Sequence, residues 1–143
     1  MIHFFTEDIS FSLNRKSALT SWLKNILSTH NFHLKSLNYI FCSDEYLANI
    51  NRKYLNHDFF TDIITFDNSE SSDEIEGDVF ISIERVRENS ERIGTGFCQE
   101  LYRAVVHGLL HLIGFDDKTE ADRLLMRERE DACLSLLKTK GST

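Results

Sequence analysis

Apolar residues recur at helical spacing in several long stretches of this chain and crowd into short runs between them. Ala18, Leu19, Trp22, Leu23, Ile26 and Leu27 predict a helix over about residues 14–29, with Asn14 as its N-cap. Tyr46, Leu47, Ile50 and Tyr54 predict a second over 43–54, capped by Ser43. Residues 2–5 (IHFF), 36–42 (SLNYIFC), 62–66 (DIITF) and 78–83 (DVFISI) read as strands, being rich in β-branched and aromatic residues. Residues 68–76 (NSESSDEIE) read as an acidic loop, and a further helix is expected at about 84–92.

Beyond Gly94 and Gly96 the pattern changes. Residues 98–113 are apolar on most sides, as in a helix buried nearly all round. Gly114 stands where a left-handed C-terminal cap belongs. The last helix, about 118–138, sets Leu124, Leu125, Cys133, Leu136 and Leu137 against a charged face. Helices interleaved with strands predict a single α+β domain over residues 1–143. Its expected architecture is a four-stranded mixed sheet packed with about five helices, with the 98–113 helix at the centre.

Composition changes this picture little. A chain of 143 residues with 41% hydrophobic and 27% charged residues can bury one core, and is neither disordered nor long enough for two ordinary domains. With no proline, glycine and polar clusters must punctuate the elements. No apolar run approaches the roughly 18–20 residues of a membrane span, and the opening MIHFFTEDIS lacks the basic region of a secretory signal. Cys42, Cys98 and Cys133 are expected as reduced, buried hydrophobes of a cytoplasmic protein. The net charge of −7 weighs against non-specific nucleic-acid binding. It leaves room for a local site, because much of the acid lies within residues 70–76 and 120–131.

The candidate chemistry lies in the most apolar helix. His107 and His111, four residues apart, share one helix face with Cβ atoms about 6 Å apart, so both imidazoles can reach one cation. Two hydrogen-bonded core histidines would give the same spacing, but an unpaired imidazole is costly in so apolar a segment. The helix then stops at Gly114, and Phe115-Asp116-Asp117 can return an oxygen ligand to the same face. Two histidines and a carboxylate leave a position open for water, as in catalytic zinc sites. Peptidases of the HExxH type place a glutamate beside the first histidine as general base; here that residue is Gly108, which counts against a peptidase.

The segment His107-Gly-Leu-Leu-His111-Leu-Ile-Gly114-Phe-Asp-Asp117 resembles the HGxLHLxGYDH signature of the YbeY family, the rRNA maturation endoribonucleases. Thr61-Asp-Ile-Ile-Thr-Phe66 resembles that family's TDVLSF strand, and Gly77-Asp-Val-Phe-Ile-Ser82 its GDI-type strand. Gln99-Glu-Leu-Tyr-Arg103, leading into His107, matches as well, so the resemblance covers about residues 36–130. It implies a fold like a metalloprotease catalytic domain, with one Zn²⁺ per chain held by three residues of the signature. It also implies a single-strand-specific endoribonuclease acting in maturation of the 3′ end of 16S rRNA and in ribosome quality control. RNA and ribosome-associated proteins are the implied partners, and a monomer is the expected state.

Two departures from the family pattern shape the expectations. The third ligand position, histidine in the pattern, is Asp117, an acceptable zinc ligand that also admits Mn²⁺ or similar hard ions. Asp116 falls where the pattern already has aspartate and is expected to orient a histidine. The family's functional arginine after the tyrosine of an LNxxYR-like stretch is replaced by Leu55, so Arg52, Lys53 or His57 are candidates to serve the phosphate instead. Arg103, one turn before His107, is another phosphate candidate, with a pair to Glu100 or to an acid on the sheet as the alternative. Catalysis is expected through a water activated at His107 and His111, or through the ribose 2′-hydroxyl. A non-catalytic ribosome-assembly factor with a structural metal, and a metal-dependent hydrolase of another substrate, are the rival readings.

Overall fold

The computed structural model describes residues 1–54 and 61–137, and among these lie four strands and five helices. In chain order they are β1 (Ile2–Thr6), α1 (Lys16–Thr29), β2 (His33–Cys42), α2 (Asp44–Tyr54), β3 (Ile63–Asp67), β4 (Glu74–Ser82), α3 (Ile83–Ile93), α4 (Phe97–Ile113) and α5 (Glu120–Leu137). The sheet runs β1-β2-β4-β3, parallel except for β3, which pairs antiparallel with β4. The mixed four-stranded sheet and five helices expected from the sequence are therefore present.

Side-chain alternation divides the sheet into two faces. Leu37, Tyr39 and Phe41 of β2 and Ile75, Val79 and Ile81 of β4 join the main core with α1, α4 and α5. Ile64 and Phe66 of β3 and Phe80 of β4 face the other way, and pack with Leu47 and Tyr46 of α2. Two buried hydrogen bonds pin the first layer: Tyr39 Oη donates to Val105 O of α4 at 2.9 Å. Trp22 Nε1 donates to Cys133 O at 2.8 Å and ties α1 to α5.

The strands run longer than their apolar runs. β2 begins at His33 and β4 at Glu74, because His33 and Leu34 pair with Glu74 and Ile75. Ile75 is buried there, so Glu74–Glu76 belong to the sheet and not to the acidic loop. Asn14 is not the cap of α1. Arg15 holds that position in a left-handed conformation (φ 62°) and its guanidinium lies 6.0 Å from the Tyr102 ring, so a contact with α4 sets this helix start. Ser43 does cap α2, its hydroxyl accepting from Tyr46 N–H at 3.1 Å. All three cysteines are free, but Cys98 is exposed, since it points outward from the first turn of α4.

α4 is central, with ten buried residues, and rests on β4 through Gly108. A Cβ at Gly108 would sit 2.6 Å from Val79 Cγ1, so the absent side chain is what lets helix and sheet approach. Gly108→Ala is expected to cost ~1–3 kcal/mol by overpacking. Urea unfolding measures it, with Val79→Ala as a second change that restores part of the loss. An unchanged midpoint in Gly108→Ala would refute the contact.

Candidate metal centre

His107 and His111 lie one turn apart on α4, flanking the Gly108 contact with Val79, and the turn after the helix returns a carboxylate to them. Gly114 adopts a left-handed φ of 127° and Phe115 N–H bonds back to Leu110 O at 3.0 Å, closing the helix. The start of α5 then fixes the other side of the turn. Thr119 Oγ1 accepts from Asp122 N–H at 3.0 Å while Asp122 Oδ2 accepts from Thr119 N–H at 3.4 Å, a reciprocal cap. Arg123 Nη1 donates to the carbonyls of Asp117 and Lys118 at 3.4 and 3.2 Å. Asp117 is held between these two helix ends.

Three ligand atoms converge. His107 Nε2 and His111 Nε2 are 3.0 Å apart, and Asp117 Oδ2 lies 3.5 and 3.4 Å from them. Ligands at zinc distances of about 2.0–2.1 Å around a tetrahedral ion stand about 3.3 Å from one another. The triangle fits that requirement, and its chemistry, two imidazoles and one carboxylate, suits a divalent cation with a position left open.

The tautomer is set from behind. Glu130 Oε2 accepts from His107 Nδ1–H at 2.6 Å, leaving the Nε2 lone pair directed at the triangle. Burial alone would lower the His107 pKa, but the hydrogen bond and charge of Glu130 carry it above the usual histidine value. Burial likewise pushes Glu130 up, and its contacts with His107 and Arg103 more than offset this, leaving it below the ordinary glutamate value. Glu130 is not among the candidates that the sequence offers. The one signal for it is its place on the inner stripe of α5 with Met126, Cys133 and Leu137.

The remaining candidates stand apart from the triangle. Arg103 Nη1 donates to Glu130 Oε1 at 2.8 Å and Nη2 to Asp131 Oδ1 at 2.7 Å, so its partners are two acids of α5 and not Glu100. With both terminal nitrogens engaged and its side chain 12% exposed, it buttresses Glu130 instead of presenting a free phosphate contact. Asp116 is exposed and, among the described residues, bonds neither imidazole; the orienting role expected of it falls to Glu130 because α5 passes directly behind His107. Arg52 bonds Asn49, and Lys53 lies 5.4 Å from the Tyr54 ring centroid; both sit at the end of α2, and neither lines the cavity at His107. Leu55 and His57 lie outside the described residues.

That cavity, about 280 Å³, opens beside the triangle and is lined by His107, Asp117, Glu130, Asp62, Arg92 and Arg127 among others. Asp62 joins it from the residue before β3; burial raises its pKa against the pull of His107. A family model described as endoribonuclease YbeY matches residues 1–138. The chain belongs to that family. Endoribonuclease YbeY of Cytophaga hutchinsonii is 50% identical over 137 residues, covering 96% of each chain. The YbeY endoribonuclease of Flavobacterium psychrophilum is 46% identical, over 95% of this chain and 96% of its own. The solution structure of TM1509 from Thermotoga maritima superposes with a TM-score of 0.69 at 23% identity, over 96% of this chain and 89% of that one, which shows the shared fold. No helix among the described residues is long and apolar enough to cross a membrane.

Proposed function

We propose that this chain is a metal-dependent, single-strand-specific endoribonuclease that acts in maturation of the 3′ end of 16S rRNA and in ribosome quality control. RNA is then its substrate, ribosome-associated proteins are its partners, and the cytoplasm is where it works. The observation that carries the reading is the three-ligand triangle of His107, His111 and Asp117 opening onto a polar cavity, in a chain of the YbeY family. We assign the ion as Zn²⁺, one per chain, with Mn²⁺ admitted by the carboxylate of Asp117.

The chain's own residues divide the work. His107, His111 and Asp117 hold the ion, and Glu130 keeps the His107 proton on Nδ1, away from the site. Arg103 pairs with Glu130 and Asp131 and offsets part of the negative charge behind the site. A divalent cation bound there would polarise a phosphoryl oxygen and lower the pKa of a water towards about 7. Gly108 leaves no side chain beside His107 that could act as a peptidase base, and Val79 leaves no space for one.

Incubating metal-loaded protein with single-stranded 16S rRNA fragments tests the proposal. Cleavage should occur, stop on chelation and return with added Zn²⁺ or Mn²⁺. Products with a 5′-hydroxyl and a 2′,3′-cyclic phosphate, or the monophosphate it hydrolyses to, identify the 2′-hydroxyl as nucleophile, and products with a 5′-phosphate and a 3′-hydroxyl identify water. Metal-loaded protein that leaves every fragment intact favours instead a non-catalytic assembly factor, the rival that Leu55 keeps open.

A further inference from the structure

The wall of the cavity beside the metal triangle carries four acids, yet the proposed substrate is a polyanion. Asp62, Glu100, Asp117 and Glu130 all contribute to its wall. Of the three arginines that line it, Arg103 has both terminal nitrogens in ion pairs with Glu130 and Asp131. The other two are differently placed. Arg92, in the last turn of α3, is exposed and, among the described residues, bonds the neutral amide of Asn89 at 2.7 Å. Arg127 is exposed on α5, one turn before the buried Glu130 that holds His107, and has no ion-pair partner among the described residues.

Two guanidinium groups thus approach one cavity from two helices, and neither is neutralised by a carboxylate among the described residues. Guanidinium groups of this kind bind phosphate oxygens with two parallel N–H donors. We propose that Arg92 and Arg127 form a phosphate clamp that seats the RNA backbone across the metal triangle, supplying the positive charge that Leu55 does not. The inference rests on the nuclease reading for its substrate and on the cavity geometry for its residues. Both are positioning residues: they hold the strand and take no part in bond breaking.

The test is the salt dependence of binding. Metal-loaded wild type and the Arg92→Gln/Arg127→Gln double variant are titrated with a short 2′-O-methyl oligoribonucleotide, checked on a gel afterwards to be intact. Removing two phosphate contacts should flatten the plot of log affinity against log salt by about 1.4, at roughly 0.7 per contact for single strands. Affinity at low salt should fall about tenfold per arginine, with bound metal unchanged. Arg127→Lys should keep the slope while losing part of the affinity, because the charge stays and the fork is lost.

An unaltered slope and affinity in the double variant overturns the clamp. So does an equal flattening in Lys16→Gln/Lys24→Gln, which removes two charges that do not line the cavity. The two readings fail separately. Wild type that binds the probe with the steeper slope but never cuts unmodified RNA defeats the nuclease and keeps the clamp. Wild type that cuts RNA, alongside a double variant equal to it in KM and slope, does the reverse.

Discussion

His111→Ala is expected to fold, to lose its metal and to lose RNA cleavage by a factor on the order of 10³, since Lewis-acid catalysis supplies several kcal/mol. The fold should survive because the His111 side chain is 22% exposed, so its truncation leaves no void in the core, and a cost of roughly 1 kcal/mol is typical. Circular dichroism checks the fold, metal analysis checks occupancy, and cleavage of single-stranded rRNA fragments checks activity. Asp117→Ala should behave alike, because Asp117 Oδ2 completes the triangle. Full activity in either variant, with stoichiometric metal, would remove that residue from the centre. Unfolding of His111→Ala together with an inactive wild type would show a structural metal in an assembly factor.

The triangle is legible in the sequence for a physical reason. Ligands at i and i+4 on one helix, followed by a glycine stop and a returning carboxylate, are local features, and local geometry fixes where they meet. The support behind the triangle is not legible in that way. α5 reads as amphipathic through Leu124, Leu125, Cys133, Leu136 and Leu137; Cys133 and Leu137 are buried, but Leu124, Leu125 and Leu136 are 65%, 41% and 58% exposed. The stripe that faces the core is Met126, Glu130, Cys133 and Leu137. A hydrophobic pattern cannot register a glutamate as an inward residue, because its burial is justified only by Arg103 and His107 on another helix. The partners of Arg103 escape the pattern for the same reason, since they lie 27 and 28 residues further along the chain.

Gly108 illustrates the converse. In the sequence it is only a missing catalytic glutamate, whereas in the structure it is the contact that brings α4 onto Val79. The residue that excludes a peptidase base is thus the one that sets the depth of the metal-bearing helix against the sheet. The strand starts at His33 and Glu74 show a similar limit, since pairing between β2 and β4 extends both beyond their apolar runs.

Glu130 therefore carries the second large prediction. Its side chain is 6% exposed and meets His107 at 2.6 Å and Arg103 at 2.8 Å, so it serves two cations or donors at once. Glu130→Ala should cost about 3–5 kcal/mol, the usual penalty for stranding a buried charge. The lower end is expected here, since Arg103 keeps Asp131 as a partner. Glu130→Gln separates stability from metal binding. The amide keeps the volume and one acceptor for His107 Nδ1–H but loses the charge that makes the imidazole a stronger donor to a cation. Metal affinity should then weaken about 10–100-fold, read by competition with a chromogenic chelator, while urea unfolding of the metal-free protein moves less than in Glu130→Ala. Equal metal affinity in wild type and Glu130→Gln would show that the carboxylate holds the helices together without tuning the site.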